Sequence, residues 1–198
     1  GLTRSTERLA HARDRVAAAG LQDRVDLRLQ DYRDVEGQFD RIVSIEMLEA
    51  VGERYWPAYF DTLRQRLKAG GTAVVQVITI AEERFEQYRQ HPDFIQRFIF
   101  PGGMLPTVRV LEEQAARAGL TLETAETFGD SYALTLAAWR DRFLAAWPTI
   151  EPLGFDDAFR RLWTYYLSYC EAGFRTGRVD VGLYVLRHAQ GDAPQETA

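Results

Sequence analysis

Two residues suited to binding a planar ligand follow an alternating apolar stretch near the start of the chain. Residues 25–29 alternate between apolar and charged types, which predicts a short strand. Asp31 and Tyr32 come shortly after it, where a carboxylate can accept a hydrogen bond from an amino group and an aromatic ring can stack on a planar one. Because Asp is common in turns, a capped surface loop is the better interpretation from these residues alone.

Three further residues have side chains that could handle protons or act as nucleophiles. Glu49 lies in the loop after residues 41–45, which are predicted to form a buried strand, although most loop carboxylates are simply solvated. Tyr132, taken by its type alone, is more often a packed core residue. Cys170 lies in an apolar helical stretch, where a lone cysteine is usually a buried, unreactive thiol. Residue types therefore leave chemistry and packing as open alternatives at all three positions.

Composition excludes several classes of protein. The 198 residues are 46% hydrophobic and 27% charged, as in a globular domain and unlike disordered or fibrous chains. The net charge of −5 is opposite to that of a typical nucleic-acid-binding protein. No apolar run approaches the roughly 18 residues of a membrane span, and the first residues lack the pattern of a signal peptide. One cysteine and three scattered histidines exclude an internal disulfide and disfavour a metal cluster.

The predicted order of elements places the candidate residues at strand ends. Helices are predicted near residues 5–20, 55–68, 81–90, 107–118, 133–147 and 155–174, and strands at residues 25–29, 41–45, 72–78, 120–126 and 179–186. Residues 46–53 and 100–106 are predicted loops, and residues 190–198 a disordered polar tail after a domain spanning residues 1–189. Alternating strands and helices predict a parallel, doubly wound α/β sheet, which binds ligands at the carboxyl ends of its strands.

A glycine-rich turn, usual after the first strand of a nucleotide-binding sheet, is missing from this sequence. Either the fold binds no nucleotide, or the first strand, its turn and its helix precede residue 1, a stretch of roughly 30 residues or more. The opening Gly1-Leu2-Thr3 without Met favours the second alternative. We therefore expect an N-terminally incomplete sheet whose open edge favours self-association, and a chain that is inactive by itself.

Six stretches that occur in a fixed order decide between these alternatives. They lie at residues 1–3, 30–34, 39–52, 98–106, 128–132 and 165–175. They resemble the cyclopropane-fatty-acyl-phospholipid synthase and mycolic acid cyclopropane synthase family of S-adenosylmethionine-dependent methyltransferases. The resemblance extends to about residue 187. It implies a Rossmann-like class I methyltransferase sheet with helices on both faces and helical insertions that form an acyl channel. The family's glycine-rich cofactor loop has no counterpart in residues 1–198.

The resemblance assigns cofactor contacts to two neighbouring strand ends. Asp31 and Tyr32 match residues that face the adenine of S-adenosylmethionine. Leu2, Thr3 and Arg4 match the stretch that contacts the ribose and methionine part of the cofactor. The interpretation of Asp31 as part of a surface loop is therefore replaced by that of a cofactor ligand.

The resemblance also implies a bound bicarbonate ion. Glu49, the hydroxyl of Tyr132 and the backbone of Ile78 match residues that hold this ion. Gln76 stands where well-known members carry His; Gln can donate a hydrogen bond but cannot take up a proton near neutral pH. Cys170 matches a helix cysteine of the active site, although the chemistry does not require it as a nucleophile.

The expected reaction explains why an anion is needed. Methyl transfer from a sulfonium to a cis alkene leaves a carbocation on the lipid, and ring closure then requires a proton to leave the new methyl group. A bicarbonate ion is a suitable base, and aromatic faces stabilise the cation without attacking it. The acyl channel is assigned to Phe100, Leu136, Tyr166 and Phe174.

The predicted function is thus cyclopropanation of unsaturated phospholipid acyl chains at the inner face of the cytoplasmic membrane. No nucleic acid and no transmembrane segment are expected, and a homo-oligomer is compatible with the sequence. One alternative keeps the fold but methylates an amine or another small molecule. Another is a cofactor-free lipid-binding module. The sequence leaves the acyl chain, the double-bond position and the choice between ring and methyl branch open.

Overall fold

The computed structural model describes residues 1–189. The helices in this part of the chain are α1 (Thr6–Ala18), α2 (Leu48–Val51), α3 (Trp56–Arg66), α4 (Glu82–Gln90), α5 (Phe94–Phe98), α6 (Val108–Arg117), α7 (Gly129–Ala145), α8 (Trp147–Ile150) and α9 (Asp157–Arg175). The strands are β1 (Leu2–Thr3), β2 (Arg28–Leu29), β3 (Phe39–Ile45), β4 (Leu67–Ile80), β5 (Leu120–Thr127) and β6 (Val179–His188). The predicted tail, residues 190–198, lies outside the described residues.

The main sheet has four strands in the order β3-β4-β6-β5. Strands β3 and β4 are parallel, but β6 is antiparallel to both of its neighbours, β4 and β5. The prediction of a parallel sheet is therefore wrong for β6, whereas β5, which is antiparallel to β6, runs parallel to β3 and β4. Alternation of helices and strands predicts a layered α/β fold, but it does not fix the direction of a strand that is inserted between two others.

Helices cover both faces of this sheet. Side chains alternate between the faces of a strand, so Val75 and Val77 of β4 pack with α3 and α6, whereas Ile78 packs with α7 and α9. Helix α3 is held by fully buried aromatic side chains, including Trp56 and Phe60. Burying an aromatic side chain of this kind contributes roughly 1.5–3 kcal/mol.

Strands β1 and β2 form a separate parallel pair of two residues each, shorter than the strand predicted at residues 25–29. Strand β3 pairs with β4 on one side, and within residues 1–189 no strand pairs with its other side. Its side chains Val43 and Ile45 are 67% and 54% exposed. The prediction of a buried strand at residues 41–45 is therefore wrong for the described part of the chain.

Several element boundaries also differ from prediction. Gly70 and Gly71 fall between the helix predicted near residues 55–68 and the strand predicted at residues 72–78, but they lie inside β4, where Gly70 has a φ of +71°. Pro148, predicted to end a helix, lies in the first turn of α8, where a missing N–H costs nothing. The predicted loop at residues 46–53 contains α2, and α5 was not predicted. Among the described helices, none is long and apolar enough to cross a bilayer.

Candidate active site

The centre of the candidate site is the end of β3, where the chain turns sharply into α2. Glu46 follows the last residue of β3 and has a φ of +49°. Its backbone N–H donates to the carbonyl of Gln76 on β4, at 2.9 Å. Because β3 and β4 are parallel, with Ile45 opposite Gln76, their side chains arrive at one edge of the sheet. Glu49, one turn further along, lies at the same edge.

Glu49 is a half-buried residue whose carboxylate is held by a backbone group. Its Oε1 accepts a hydrogen bond from the N–H of Ile78 at 2.6 Å. Its Oε2 is buried and has no hydrogen-bond partner within residues 1–189. Burial raises the pKa of Glu49 to about 7, and the negative charge of Glu46 adds to this rise, while the hydrogen bond from Ile78 opposes it. At neutral pH the side chain therefore exchanges between an acid that can donate and a base that can accept.

Glu46 gathers two residues that the resemblance assigned to bicarbonate. The hydroxyl of Tyr132 donates to Glu46 Oε1 at 2.7 Å, and the amide of Gln76 donates to the same oxygen at 2.7 Å. Glu49 and Ile78 form a separate pair beside them. Glu46 lies within residues 39–52, a stretch that resembles the family, but the sequence alone indicates no role for it. The only signal was its place directly after a strand, since a positive φ cannot be foreseen from the residue type.

Tyr132 reaches this edge because the start of α7 is tightly fixed. The N–H of Gly129 donates to Asp180 Oδ1 at 2.9 Å, and that carboxylate also accepts from the N–H of Val181 at 2.8 Å. A Cβ on residue 129 would lie 2.5 Å from the same oxygen, so a larger residue here would displace the Asp180 carboxylate from its hydrogen bonds. The ring of Tyr132 then packs on Phe174 with 4.9 Å between ring centroids.

The residues assigned to the acyl channel form an apolar wall beside this cluster. Leu136 and Phe174 are buried, and Ile78, Tyr166 and Cys170 pack against them as half-buried neighbours. Burial raises the pKa of the Cys170 thiol to about 12, so the thiolate is disfavoured and a nucleophilic role receives no support. The structure therefore brings together residues of β3, β4, α7 and α9 that are far apart in sequence.

A loop that we call the flap, residues 99–106, closes over the edge of this site. The N–H of Met104 donates to the backbone carbonyl of Glu49 at 2.9 Å. A Cβ on Gly103 would lie 3.1 Å from the carbonyl of Phe100 and 3.4 Å from that of Glu49. Phe100 itself is 52% exposed and contacts the ring of Tyr166, with 6.2 Å between centroids. The flap thus links the surface to the apolar wall.

The predicted cofactor residues meet at the ends of β1 and β2. Asp31 accepts from Arg4 Nη1 at 3.0 Å and from Arg33 through its backbone N–H, Nε and Nη2 at 2.9–3.0 Å. Hydrogen bonds from Arg33 lower the pKa of Asp31 to about 2. Leu2 is 45% exposed, and the hydroxyl of Thr3 accepts from the N–H of Ser5 at 3.2 Å.

Tyr32 connects this group to the end of β3. Its ring contacts that of Tyr59 at 5.9 Å between centroids, and the hydroxyl of Tyr59 donates to Ser44 Oγ at 2.8 Å. Ser44 lies two residues before Glu46. The two sets of predicted residues are therefore linked through Tyr59. Tyr32 is half-buried, and Asp31 is charged at all physiological pH values.

Comparison with known proteins identifies the family. The sequence profile described as "Mycolic acid cyclopropane synthetase" matches residues 1–183. Tuberculostearic acid methyltransferase UfaA1 of Mycobacterium tuberculosis is 45% identical over 186 residues, which are 93% of this chain and 44% of that protein. Cyclopropane-fatty-acyl-phospholipid synthase of Escherichia coli is 37% identical over 191 residues, which are 96% of this chain and 47% of that protein. The chain spans about half the length of these two curated relatives.

Solved structures show the same fold. Mycolic acid cyclopropane synthase CmaA1, in a complex with SAH and CTAB, superposes with a TM-score of 0.84 at 26% identity, covering 94% of this chain and 68% of that one. Cyclopropane synthase MmaA2 from Mycobacterium tuberculosis gives a TM-score of 0.80 at 26% identity, with the same coverage. The predicted Rossmann-like class I methyltransferase fold is thereby confirmed. The chain belongs to the mycolic acid cyclopropane synthetase family of S-adenosylmethionine-dependent methyltransferases.

Proposed function

We propose that this chain carries the lipid-binding and proton-removing part of an enzyme that methylates the cis double bond of an unsaturated phospholipid acyl chain. The main support for this proposal is that two carboxylates lie next to an apolar wall. Glu49 is bonded to Ile78 and Glu46 to Tyr132, and both of these partners pack on the wall, which includes Leu136 and Phe174. Such a wall suits an alkyl chain, and the carboxylates suit a positive charge that develops on it. The names of the two curated relatives given above refer to a fatty acid and to a fatty acyl phospholipid.

S-adenosylmethionine is the proposed methyl donor, and its sulfonium supplies an activated methyl group. Asp31, Tyr32, Leu2, Thr3 and Arg4 would hold it. The charged Asp31 is a fitting acceptor for an adenine amino group, but both of its oxygens already accept from arginines. The side chains of Arg4 and Arg33 are 77% and 51% exposed, so either can turn into solvent when the ligand arrives. The half-buried ring of Tyr32 offers a face for stacking.

Removal of a proton from the methylated chain is the second half of the proposed reaction. The resemblance predicts bicarbonate as the base, oriented by Glu49 and Tyr132. Tyr132 already donates to the carboxylate of Glu46, so the base is either a bicarbonate ion bound beside these residues or a carboxylate of the site itself. Ring formation and the identity of the acyl chain are part of this proposal.

The proposed partner is the surface of a phospholipid bilayer at the cytoplasmic side. Phe98, Phe100 and Tyr165 are 65%, 52% and 54% exposed, and Phe100 leads through Tyr166 towards the apolar wall. Next to Tyr165 lies a surface depression of about 580 Å³ whose lining includes Arg160 and Arg161 together with Asp157. Aromatic rings beside arginines suit the interface between lipid tails and phosphate groups. The exposed side chains of β3 likewise support the prediction of a homo-oligomer, which light scattering tests.

A small amine is the second candidate acceptor. Two carboxylates and several aromatic faces would also suit an ammonium group. The cluster around Ile78, Leu136 and Phe174 favours the acyl chain, because an amine needs no apolar wall of this extent.

The test is product analysis with the intact natural protein. It should be incubated with S-adenosylmethionine carrying a labelled methyl group and with vesicles of unsaturated or saturated phospholipid. We expect label in unsaturated lipid only, with a mass gain of one methylene per double bond for a ring. The variant Glu49→Gln should lower kcat with little change in cofactor affinity. Label in amines and none in lipid would overturn the proposal. Calorimetry on residues 1–198 tests the prediction that this chain alone is inactive.

A further inference from the structure

Glu46 has a backbone conformation that its residue type does not favour. Its φ of +49° is the one positive value among the non-glycine residues in the described range 1–189. L-residues other than glycine avoid this region because Cβ approaches the backbone too closely. Such a conformation persists only where the surroundings hold it, and residues of this kind cluster at functional sites.

The surroundings of Glu46 supply three hydrogen bonds. Its backbone N–H is bonded to the carbonyl of Gln76, and its Oε1 accepts from Tyr132 and from the Gln76 amide, each at 2.7 Å. Both side-chain donors to Glu46, the hydroxyl of Tyr132 and the amide of Gln76, are uncharged. The strained turn thus places an anion between the two side chains that the resemblance assigns to bicarbonate.

The second oxygen of Glu46 is available for chemistry. Within residues 1–189, both side-chain hydrogen bonds of Glu46 go to Oε1, and Oε2 has no hydrogen-bond partner. Unlike Oε2 of Glu49, this oxygen is not enclosed by the surrounding residues. Glu46 is half-buried, beside the ring of Tyr132 that packs on Phe174. The carboxylate of Glu46 therefore lies beside Tyr132, whose ring packs on the apolar wall that we propose for the acyl chain.

We infer that the carboxylate of Glu46 is the proton acceptor of the reaction and takes the place of bicarbonate in this protein. This inference rests on the proposed function. After methyl transfer, a C–H bond of the new methyl group breaks and its proton goes to Glu46 Oε2. The electron pair of that bond closes the ring on the cationic carbon. If a 1,2-hydride shift first moves the cation to the carbon that bears the methyl group, the same electron pair instead forms a double bond between that carbon and the new CH2 group. The proton then passes to water, which restores the carboxylate.

A carboxylate beside a carbocation could form a covalent bond to the cationic carbon. A carboxylate that is held in place avoids this reaction. The backbone of Glu46 is bonded to β4, and its Oε1 is engaged by Tyr132 and Gln76. The group is therefore held and cannot follow the carbon to bonding distance. Gln76 suits this arrangement better than a titrating side chain, because an amide always donates to a carboxylate.

The experiment compares Glu46→Gly with Glu46→Gln in the intact natural protein. Glycine accepts the positive φ without strain and leaves a space between Tyr132 and Gln76. Glutamine fills that space and cannot accept the proton. Both variants should lose roughly 10²–10⁴-fold in kcat, the contribution of a general base, with cofactor affinity changed less than twofold. Added formate or bicarbonate should restore turnover to Glu46→Gly and leave Glu46→Gln inactive.

Two further measurements separate the inference from the function it rests on. Wild-type turnover should be the same in buffer freed of carbon dioxide and in buffer with bicarbonate. Formate should raise the Tm of Glu46→Gly and leave those of the wild type and Glu46→Gln unchanged. Wild-type turnover that falls without bicarbonate, or Glu46→Gly turnover near wild type in its absence, would overturn the role of Glu46 while the proposed function stands. A wild type that labels no lipid would overturn the proposed function itself.

Discussion

The strand-end cluster around Glu49 and the seam between α7 and α9 each enclose a carboxylate, in opposite surroundings. In the seam, Glu171 is 9% exposed and accepts hydrogen bonds from Arg140 and, at 2.7 Å, from Arg175 Nε. The hydrogen bond from Arg175, followed by those of Arg140, keeps the pKa of Glu171 below its ordinary value. In the strand-end cluster, Glu49 accepts from a backbone N–H, and burial raises its pKa to about 7.

The difference shows what each buried charge is for. Two guanidinium groups neutralise Glu171, and its bond to Arg140 joins α9 to α7. Glu49 and Glu46 face uncharged donors, which leaves their negative charge available to whatever enters the site. A carboxylate without a cation is costly to bury, and this cost is tolerated where a ligand or a reaction uses it.

The largest expected effect is the loss of stability when the seam between α7 and α9 loses Glu171. Glu171→Ala leaves Arg140, whose side chain is 26% exposed, with the hydroxyl of Ser168 and, at 4.0 Å, the carboxylate of Asp141 as weaker partners. It should lower the free energy of unfolding by about 2–3 kcal/mol, since a partly buried charge that loses its main partner is costly. Denaturation in urea near pH 7 measures this. Glu171→Gln, which keeps an acceptor, should cost less. A loss below about 0.5 kcal/mol for the alanine variant would show that the seam does not depend on this charge.

The pH dependence of that contribution has a defined sign. Because the folded pKa of Glu171 is lowered, its stabilisation is present above the ordinary carboxyl value of 4.5 and is lost as the pH falls through the folded value. The stability difference between the wild type and Glu171→Ala should therefore shrink at acid pH.

Tyr132→Phe is the next largest change and acts on the strand-end cluster. It removes one of two donors to Glu46 while keeping the ring that packs on Phe174. We expect kcat to fall about 10- to 100-fold, roughly 1.4–2.7 kcal/mol, with cofactor affinity and Tm close to wild type. Combination with Glu49→Gln should be less than additive, because both residues serve one site. A fall in cofactor affinity at constant kcat would contradict this assignment.

Glu49→Gln tests how the carboxylate of the strand-end cluster affects stability at different pH values. The raised folded pKa means that wild-type stability is lost as the pH rises from the ordinary value of 4.5 through about 7. Glutamine has no such loss and still accepts from Ile78, although by a weaker hydrogen bond. We expect the variant to be more stable than the wild type by about 1–2 kcal/mol at pH 8. Thermal unfolding from pH 5 to 8 tests this, and parallel curves would refute it.

The smallest expected effect concerns the ends of β1 and β2. Asp31→Asn removes the charge that holds Arg4 and Arg33 and should weaken S-adenosylmethionine binding by the intact protein about 3- to 10-fold, near 1 kcal/mol. At saturating cofactor, kcat should stay unchanged. Asp26→Asn is the matched control, because Asp26 pairs with Arg28 on an exposed surface. Equal effects of the two variants would remove Asp31 from the cofactor site.

Local signals in the sequence predicted the parts of the fold that local physics controls. Ser5 and Thr107 cap α1 and α6 through their side chains, as their positions before apolar periodic stretches indicate. The direction of β6 and the exposure of β3 depend on which strands lie next to them, and no residue type encodes that. The glycines in β4 were misjudged because one of them adopts a turn-like φ within a strand.

The candidate site divides in the same way. Motif resemblance located Glu49, Tyr132, Gln76 and Ile78, and the structure places these four residues at one sheet edge. Glu46 was missed because its importance comes from a backbone angle and from partners on β4 and α7. The contact of Asp31 with Arg4 was also out of reach, since exposed arginines choose among several acceptors. The assigned roles of these residues stay predictions.

The hydrogen bond from Met104 to the backbone of Glu49 has a practical consequence for protein engineering. Engineering of the proposed acyl-chain selectivity would start at the flap, around Phe100 and Gly103. Because the flap is bonded to the peptide unit of Glu49, such changes will shift that carboxylate and its proton affinity as well. Selectivity and pH optimum are therefore expected to change together, and libraries aimed at the flap need screening at several pH values.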